Sequence, residues 1–280
     1  MSSVAPKFVK IDEKNQIHVI HQAPSQGKQT FVFLNSMGAT TRAWEDRIAP
    51  ALRARGYGTL SFDYRGQGET LYGSDARLEP EEIVSDIVHV LDDQKPQRPI
   101  MCCLSIGGLF GVRALEKGAN AEAIALINTL RKSNAQVEWI NTLEARLIAM
   151  GGMPLVYDVL RPVLSSAAEL EKMRETHLPE EGYTPWPADH PRRRLADGVN
   201  KADWDFPWET LTIPALVFVG LHDRLFRIQK DVDDILERIP NAKVAEYSDG
   251  GHSLQAEFPD EFVSDLVKFA EEVDQTEGRK

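Results

Sequence analysis

The alternation of hydrophobic and polar residues along the chain predicts a series of short β-strands. Residues 7–12 and 16–21 alternate apolar and polar side chains, and they predict a β-hairpin that turns near residues 13–15. Six later segments also predict strands, and most of them are short apolar runs typical of strands buried on both faces of a parallel sheet. These segments cover residues 30–34, 59–62, 100–104, 123–127, 214–220 and 242–247.

Helical patterns separate most of these strands. Pro80 and two acidic residues favour the start of a helix whose apolar stripe includes Ile83 and Ile87. Other helices are predicted over residues 42–55, 107–116, 232–239 and 259–273. Strands and helices that alternate at this spacing predict a parallel sheet with right-handed crossovers, which is an α/β architecture.

Residues 131–208 break this alternation, because no strand is evident there and the pattern becomes helical. Three helices are predicted in this region, over residues 137–148, 154–160 and 167–173. A pair of glycines ends the first of them, and a loop rich in proline and aromatic residues follows the third. We therefore expect one α/β domain, formed by residues 1–130 and 209–280, that is interrupted by a helical insert at 131–208.

The composition narrows the classes of partner and compartment. The 280 residues carry a formal net charge of −11, and such a surface repels phosphate backbones and anionic lipid, so we expect neither a nucleic-acid partner nor a membrane partner. The N-terminus lacks the apolar core of a signal peptide, and no window approaches the ~18 apolar residues of a membrane span. The two cysteines are adjacent, and this spacing disfavours a disulfide between them. We expect both cysteines to be buried in a strand and the protein to be in a reduced cytoplasmic compartment.

Polar residues follow the apolar runs at several strand ends. Ser105 comes after the fifth strand, Asp223 after the seventh and His252 after the eighth. Asn35 and Ser36 follow the third strand. Because the carboxyl ends of parallel strands meet at one edge of the sheet, we expect these side chains to lie near one rim.

Ser105 stands in the run Cys-Leu-Ser-Ile-Gly-Gly at the junction of a strand and a helix. A serine at such a corner can expose its hydroxyl if small residues flank it, as in the G-x-S-x-G nucleophile elbow. Cys103 replaces the first glycine, but cysteine is small and suits an apolar site, and Gly107 and Gly108 are retained. The run therefore predicts an elbow with Ser105 as the nucleophile.

The order Ser, Asp, His along the chain resembles that of the α/β-hydrolase family. Cys-Leu-Ser-Ile-Gly-Gly is similar to that family's elbow, and Asp63-x-Arg65-Gly-x-Gly is similar to the loop after its fourth strand. We expect the side chains of Asp63 and Arg65 to hold this loop together. The segments Phe-Val-Gly-x-x-Asp223 and Gly-His252 resemble its acid loop and its histidine loop. The resemblance covers nearly the whole chain and implies an α/β-hydrolase fold, with a mostly parallel eight-stranded sheet flanked by helices and a helical cap insert.

The resemblance also implies the roles of the site residues. Ser105 would attack a carbonyl carbon, His252 would take its proton, and Asp223 would accept the other ring N–H of the histidine. The backbone N–H groups of Met37 and Ile106 would form the oxyanion hole that stabilises the developing negative charge. The sequence contains no metal-ligand motif and no phosphate loop, so neither a metal nor a cofactor is predicted.

Each of these residues has a structural alternative. Ser105 and Asp223 are also residue types that cap helices, and His252 could occupy a surface turn. Asp249 is a rival acid three residues before the histidine, although aspartate there is also a turn former. Asn128, after the sixth strand, offers no carboxylate at the other place where such an acid can stand, and this favours Asp223.

Candidates for substrate contact come from the loop after the third strand and from the insert. They are Asn35, Ser36, Trp139, Met150 and Trp186, although the two tryptophans and the methionine could instead form the core of the cap. Members of the family often have His-Gly where this chain has Asn-Ser. A backbone donor survives a change of side chain, so the oxyanion hole depends on the turn that this loop adopts.

The loop sequence Asn-Ser-x-Gly, together with Leu-Ser-x-Gly-Gly at the elbow, resembles enol-lactone hydrolases, which act on substrates that carry a carboxylate. The three arginines at 192–194 could pair with such a group, or they could be the solvated basic start of a helix. We therefore expect a carboxylesterase or lactonase that acts on a small-molecule acyl substrate through an acyl-enzyme. Carbon–carbon bond hydrolysis, acyl transfer and a receptor with slow or no turnover stay open, as does a homodimer.

Overall fold

Eight strands form one sheet in the computed structural model, which describes residues 4–174 and 182–277. The strands are β1 (Lys7–Lys10), β2 (Gln16–Gln22), β3 (Thr30–Leu34), β4 (Gly58–Phe62), β5 (Pro99–Leu104), β6 (Ala123–Ile127), β7 (Ala215–Gly220) and β8 (Ala242–Tyr247). Their order across the sheet is β1-β2-β4-β3-β5-β6-β7-β8. Only β2 pairs antiparallel, with β1 and β4, among these strands, so the predicted mostly parallel sheet is confirmed.

Helices follow most of the strands and cover both faces of the sheet. They are α1 (Arg42–Glu45), α2 (Ile48–Arg53), α3 (Pro80–Gln94), α4 (Ile106–Glu116), α5 (Ala135–Leu164), α6 (Ala167–Lys172), α7 (Pro191–Val199), α8 (Gln229–Leu236), α9 (Leu254–Glu257) and α10 (Pro259–Glu277). The single helix expected over residues 42–55 is divided in two. Arg47, between the two pieces, has a φ of −142°, which is not helical.

The core consists of two apolar layers, one on each face of the sheet. Alternate residues of a strand point to opposite faces, so Val32 contributes to one layer and Phe33 to the other. Helices α3, α4 and α8 cover the first face, and α1, α2 and α10 cover the second. Cys103 and Cys102 divide between the layers in the same way, and both are buried free thiols, as the sequence predicted.

In the described residues between β6 and β7, three helices, α5 to α7, form the helical insert. The predicted end of its first helix at the glycine pair is a kink, because Gly152 has φ 67° and ψ −168° while the helical hydrogen bonding resumes after it. A Cβ on Gly152 would lie 2.6 Å from the ring of Trp186, so glycine is needed there for packing as well as for the backbone angle. No strand lies in the described parts of the insert, residues 131–174 and 182–208.

Helix α5 is long and apolar enough to cross a membrane, judged by length and composition alone. It has 30 residues and contains an 18-residue window with a mean hydropathy of 1.4, so the expectation that no window approaches a membrane span is wrong. The kink at Gly152 interrupts this helix, and Val137, Ile148 and Leu160 are buried against the rest of the protein. Only 33% of the apolar window is buried, whereas the core helices that also pass this test of length and hydropathy are mostly buried.

Candidate active site

Ser105 joins the end of β5 to the start of α4 in a strained backbone conformation. Its φ of 55° and ψ of −121° lie in a region that residues with a side chain rarely adopt. Two hydrogen bonds tie it to the end of β6: its N–H donates to Ile127 O at 2.8 Å, and Thr129 Oγ1 donates to Ser105 O at 2.9 Å. The corner therefore has the backbone geometry of a nucleophile elbow.

Small residues allow α4 to approach the sheet closely at this corner. A Cβ on Gly107 would lie 2.7 Å from the backbone oxygen of Leu34 and 2.6 Å from that of Asn35. A Cβ on Gly108 would lie 2.2 Å from Thr129 Oγ1. Both glycines after the serine are thus required by sterics, and one of the two clashes would be with backbone that cannot move aside.

Cys103, which stands where the elbow motif has glycine, is accommodated by a further glycine in the helix. The Cys103 side chain is fully buried, and its Sγ lies 2.8 Å from the place that a Cβ would take on Gly111 of α4. The space that the thiol occupies is therefore space that Gly111 leaves empty. The departure from the motif is compensated locally, without moving Ser105.

His252 and Asp223 form a short hydrogen bond between two buried side chains. The distance from His252 Nδ1 to Asp223 Oδ2 is 2.6 Å, and Asp223 Oδ1 accepts the N–H of Phe226 at 3.0 Å. Burial by itself would raise the pKa of Asp223, but the charge and hydrogen bond of His252, together with the Phe226 N–H and the charge on Arg131, hold that pKa below its ordinary value. An ionised carboxylate only accepts, so Nδ1 carries the proton and Nε2 is left for proton transfer. The rival acid, Asp249, is exposed in the turn after β8.

Asn128 ties the histidine loop to the sheet, a role that the sequence analysis missed. Its Nδ2 donates to Gly251 O at 3.0 Å and to His252 O at 2.9 Å, while its Oδ1 accepts the N–H of Gly220 at 2.8 Å. Its φ of 47° lies in the left-handed region that asparagine tolerates better than most residues. The signal in the sequence is its place directly after β6, at the same rim as Ser105.

A cavity of about 360 Å³ lies between this rim and the helical insert. The rim contributes Ser36, Met37, Ser105, Ile106 and His252 to the wall, and α5 contributes much of the opposite wall. Within the described residues, the N–H groups of Met37 and Ile106 donate no hydrogen bond, so neither is already committed to an acceptor in the protein. The structure therefore brings five predicted site residues to one cavity, with the acid behind the histidine.

Arg131 contacts the candidate nucleophile, and the sequence analysis missed this residue too. Its Nη2 donates to Ser105 Oγ at 3.0 Å and to Asn128 O at 3.1 Å. No hydrogen bond joins Ser105 Oγ to His252 in the part of the chain that the structure describes. The available signal was again position, because Arg131 follows the end of β6 by four residues, at the first position assigned to the insert.

The guanidinium of Arg131 is buried between two aromatic rings. It lies 4.5 Å from the ring centre of Trp204 and 4.3 Å from that of Phe226. Burial lowers the pKa of Arg131 to about 10, so it remains a cation at neutral pH. Glu144 of α5 also lines the cavity, and burial raises its pKa to about 7, against the opposing effect of the charge on Arg131. The cavity wall thus holds a buried cation and a buried carboxyl.

Four of the predicted substrate contacts do not line the cavity. Asn35 is fully buried in the core, where its amide is hydrogen-bonded to the backbone of β4 and to a buried indole. Trp139 and Met150 are 77% and 66% exposed on α5. Trp186 stacks on the ring of His190, with centroids 3.9 Å apart. For Trp139 and Met150, the helical period of α5 predicts an apolar face but not which residues of that face turn toward the sheet.

The three arginines at 192–194 begin α7 and do not line the cavity either. Arg193 donates to Trp186 O at 2.9 Å, and Arg194 donates to Ser74 O at 2.8 Å. These bonds connect α7 to neighbouring loops. Of the two alternatives that the sequence left open, the start of a helix is the one observed, and two of its three arginines donate to backbone oxygens.

The loop after β4 is held together by its charged residues, as predicted. The buried carboxylate of Asp63 accepts the N–H of Thr41 at 2.7 Å and forms a 2.9 Å contact with His18 Nδ1. Arg65 forms a bidentate ion pair with Asp86 of α3. Neither Asp63 nor Arg65 lines the cavity.

Three carboxylates near the start of α3 are close enough to share a cation. Oxygen atoms of Glu79, Glu81 and Glu82 lie within 4.8 Å of one another. Glu79 is already paired with Arg77 and with Lys201, and this pairing holds its pKa at about 2. The cluster is therefore explained by ion pairs on the surface, away from the cavity.

Comparisons with known proteins point to a single family. A family model described as the alpha/beta hydrolase family matches residues 31–266. A protein of Caulobacter sp., named provisionally as the carbamate hydrolase RutD, is 21% identical over 260 residues, which cover 90% of this chain and 94% of the relative.

Solved structures share the fold over nearly their whole length. An enol-lactonase from Burkholderia xenovorans superposes with a TM-score of 0.74 and 23% identity, covering 94% of this chain and 99% of the other. An esterase from Exiguobacterium antarcticum superposes with a TM-score of 0.75 and 15% identity, covering 95% and 100%. At these identities the superpositions show a common fold.

Proposed function

The chain belongs to the alpha/beta hydrolase family, and we propose that it is a serine hydrolase that cleaves a carboxylic ester or lactone through an acyl-enzyme on Ser105. The observation that carries the proposal is the buried 2.6 Å hydrogen bond between His252 and Asp223, beside a serine held at positive φ. A serine that merely caps a helix needs neither the strained backbone nor the buried pair. Together they supply a nucleophile, a base and an acid that orients the base.

In the acylation step, the Ser105 hydroxyl attacks the carbonyl carbon while His252 Nε2 takes its proton. Asp223 holds the imidazole in the required tautomer and stabilises the imidazolium that forms. The carbonyl oxygen becomes negatively charged and accepts hydrogen bonds from the N–H groups of Met37 and Ile106. The proton on His252 then passes to the leaving oxygen, and the carbon–oxygen bond of the ester breaks.

In the deacylation step, a water molecule attacks the carbonyl carbon of the acyl-enzyme. His252 accepts a proton from this water and returns it to Ser105 Oγ as the ester bond to the enzyme breaks. The same two N–H groups stabilise the second tetrahedral oxyanion. The products are a carboxylic acid and, for an open-chain ester, an alcohol; a lactone gives a single hydroxy acid.

Arg131 assists the nucleophile without replacing the base. Its guanidinium is protonated at neutral pH, so it donates to Ser105 Oγ and cannot accept a proton from it. The donated bond uses a lone pair of Oγ, and the hydroxyl hydrogen stays free to be transferred to His252. The nearby positive charge also stabilises the negative charge that develops on Oγ.

The names of the similar proteins support acyl chemistry of this kind, because carbamate hydrolase, esterase and enol-lactonase each describe cleavage at a carbonyl carbon. A cavity of about 360 Å³ is a suitable size for a small-molecule substrate. Carbon–carbon bond hydrolysis and acyl transfer would use the same three residues. A product analysis across esters, lactones, thioesters and diketones separates these reactions.

A fluorophosphonate probe tests the nucleophile directly. We expect the probe to label the wild-type protein at Ser105 and to leave Ser105→Ala unlabelled, because only an activated serine reacts. Ser165→Ala is the matched control, since this second hydroxyl lines the same cavity from the end of α5 and should leave labelling intact. Peptide mass spectrometry that finds the label elsewhere, or equal labelling of Ser105→Ala, contradicts the proposal.

A further inference from the structure

Arg131 is a buried cation that no carboxylate of the described chain neutralises by direct contact. Its hydrogen bonds go to a hydroxyl and a backbone oxygen, at Ser105 and Asn128. Asp223 is the carboxylate whose charge acts most strongly on the pKa of Arg131, but it is already hydrogen-bonded to His252. A guanidinium removed from water is costly unless an anion compensates it, so the arrangement invites an anion from outside the chain.

Glu144 does not fill that role. It faces the same cavity from α5, but it forms neither an ion pair nor a hydrogen bond with Arg131 among the described residues. Burial raises the pKa of Glu144 to about 7, so a substantial fraction of this carboxyl is uncharged near neutral pH. Both side chains line the same cavity.

The guanidinium is held in one orientation before any ligand arrives. The rings of Trp204 and Phe226 lie 4.5 and 4.3 Å from it, and both of its hydrogen bonds use Nη2. Nη1 has no acceptor among the described residues. Arginine binds carboxylates through paired donors in a rigid plane, so a fixed guanidinium with unused donors at a cavity wall is prepared for that group.

We propose that Arg131 is a specificity-determining residue that binds a carboxylate on the acyl part of the substrate, and that the substrates are monoesters or lactones of short dicarboxylic acids. This proposal rests on the proposed function, because it uses Ser105 as the nucleophile. Arg131 Nη2 and Ser105 Oγ are 3.0 Å apart, so the carboxylate and the attacked carbonyl must be close neighbours in one molecule. With ordinary bond lengths, about one to three carbons separate them.

A pair of esters of matched shape tests the proposal. Ethyl hydrogen succinate carries the carboxylate, and ethyl 4-oxopentanoate replaces it with a neutral acetyl group of similar size. We expect the wild-type protein to have a higher kcat/KM for the anion. Arg131→Met should shift the ratio of the two kcat/KM values toward the neutral ester by roughly 10²-fold, the effect of removing one partner of a buried charge pair. Arg131→Lys should shift it less, because it keeps the charge but loses the planar fork.

Lys132→Met is the matched control for charge. Lys132 is the next residue along the chain, and it is paired with Asp234 outside the cavity. The substitution removes the same formal charge, so a ratio that stays at the wild-type value shows that location matters. A ratio that shifts equally in Lys132→Met overturns the assignment to Arg131.

Protection from the fluorophosphonate gives a second readout that needs binding but no turnover. Ethyl hydrogen succinate should slow the labelling of wild-type Ser105 more than ethyl 4-oxopentanoate does, and Arg131→Lys should reduce that difference. If Ser105 is labelled but the two esters protect it equally, the carboxylate proposal is wrong while the proposed function stands. If neither the wild-type protein nor any Arg131 variant is labelled at Ser105, the proposed function itself fails. Loss of the fold in Arg131→Met is detected by its thermal transition, and Arg131→Lys then decides the outcome.

Discussion

The sheet rim and the helical insert form two walls of one cavity, but different interactions hold them in place. On the rim, backbone angles and hydrogen bonds fix each reacting group, as at Ser105 and Asn128. The insert is packed through apolar side chains: a small cluster joins α5 to α7 around Ile148, Met153, Val156, Leu160 and Ala196, and other residues of the insert join the main core, namely Val137, Leu195, Val199 and Trp204. The wall that would carry the chemistry is therefore fixed mainly by backbone angles and hydrogen bonds, and the opposite wall is fixed mainly by apolar packing.

Removing the proposed general base, His252, from the rim should have the largest effect on the rate of hydrolysis. We expect His252→Ala to lower the rate of hydrolysis of a short p-nitrophenyl ester by ~10³-fold or more, because Ser105 then loses its proton acceptor. Asp249→Asn is the control, since that carboxylate is exposed and outside the cavity. An undiminished rate in His252→Ala would mean that another group is the base.

A change in the insert wall should affect the pH dependence of stability. The Glu144 carboxyl has a pKa of about 7 in the folded protein and an ordinary value of 4.5. Between these values the unfolded chain releases the proton and the folded protein keeps it, so stability falls as pH rises. Below pH 4.5 both states are protonated and the loss is absent. The full difference above pH 7 is about 3 kcal/mol.

Urea unfolding of Glu144→Gln at pH 5 and pH 8 measures this effect. The amide cannot ionise, so the variant should lose less stability than the wild-type protein between the two pH values. If Glu144 is instead charged and compensated at pH 5, the variant and the wild-type protein should lose the same stability between the two pH values. Such a result would mean that polar interactions hold the insert wall in place, as they hold the rim.

The smallest expected effect sharpens the account of the rim itself. Gly111→Ala places a methyl group 2.8 Å from Cys103 Sγ and should destabilise the protein by about 1–3 kcal/mol through overpacking. The same substitution in a Cys103→Gly background should cost less, because the space is then free. A double-mutant cycle of unfolding free energies gives the coupling between the two positions. Independent effects would show that Cys103 and Gly111 do not compensate each other.

The fold could be predicted from the sequence because its strands are short apolar runs between helical segments. The mostly parallel sheet and the family are confirmed. The positions of Ser105, Asp223 and His252 after their strands predicted that they would meet, and the structure brings them to one edge of the sheet. Their catalytic roles stay predictions that the experiments above can test.

The contacts of the insert could not be predicted in the same way. Trp139 and Met150 lie on the expected helix but face away from the cavity, and the kink at Gly152 turns two predicted helices into one interrupted helix. A helical pattern predicts that an apolar face exists, but the packing partner decides how that face is rotated. Two of the expected arginines, Arg193 and Arg194, donate to loop backbone, and Arg131, next to the rim, donates to Ser105 Oγ instead.

By itself the sequence determined the order of the strands and helices and the residues that end each strand. Those strand ends predict which residues meet, because parallel strands place their carboxyl ends at one edge of the sheet, whatever path the rest of the chain takes. Only the tertiary structure decided that Arg131 contacts Ser105, that Glu144 lines the same cavity and that Asn128 secures the histidine loop. Those contacts join residues whose separation along the chain carries no period or motif, so they exist only once the elements are packed.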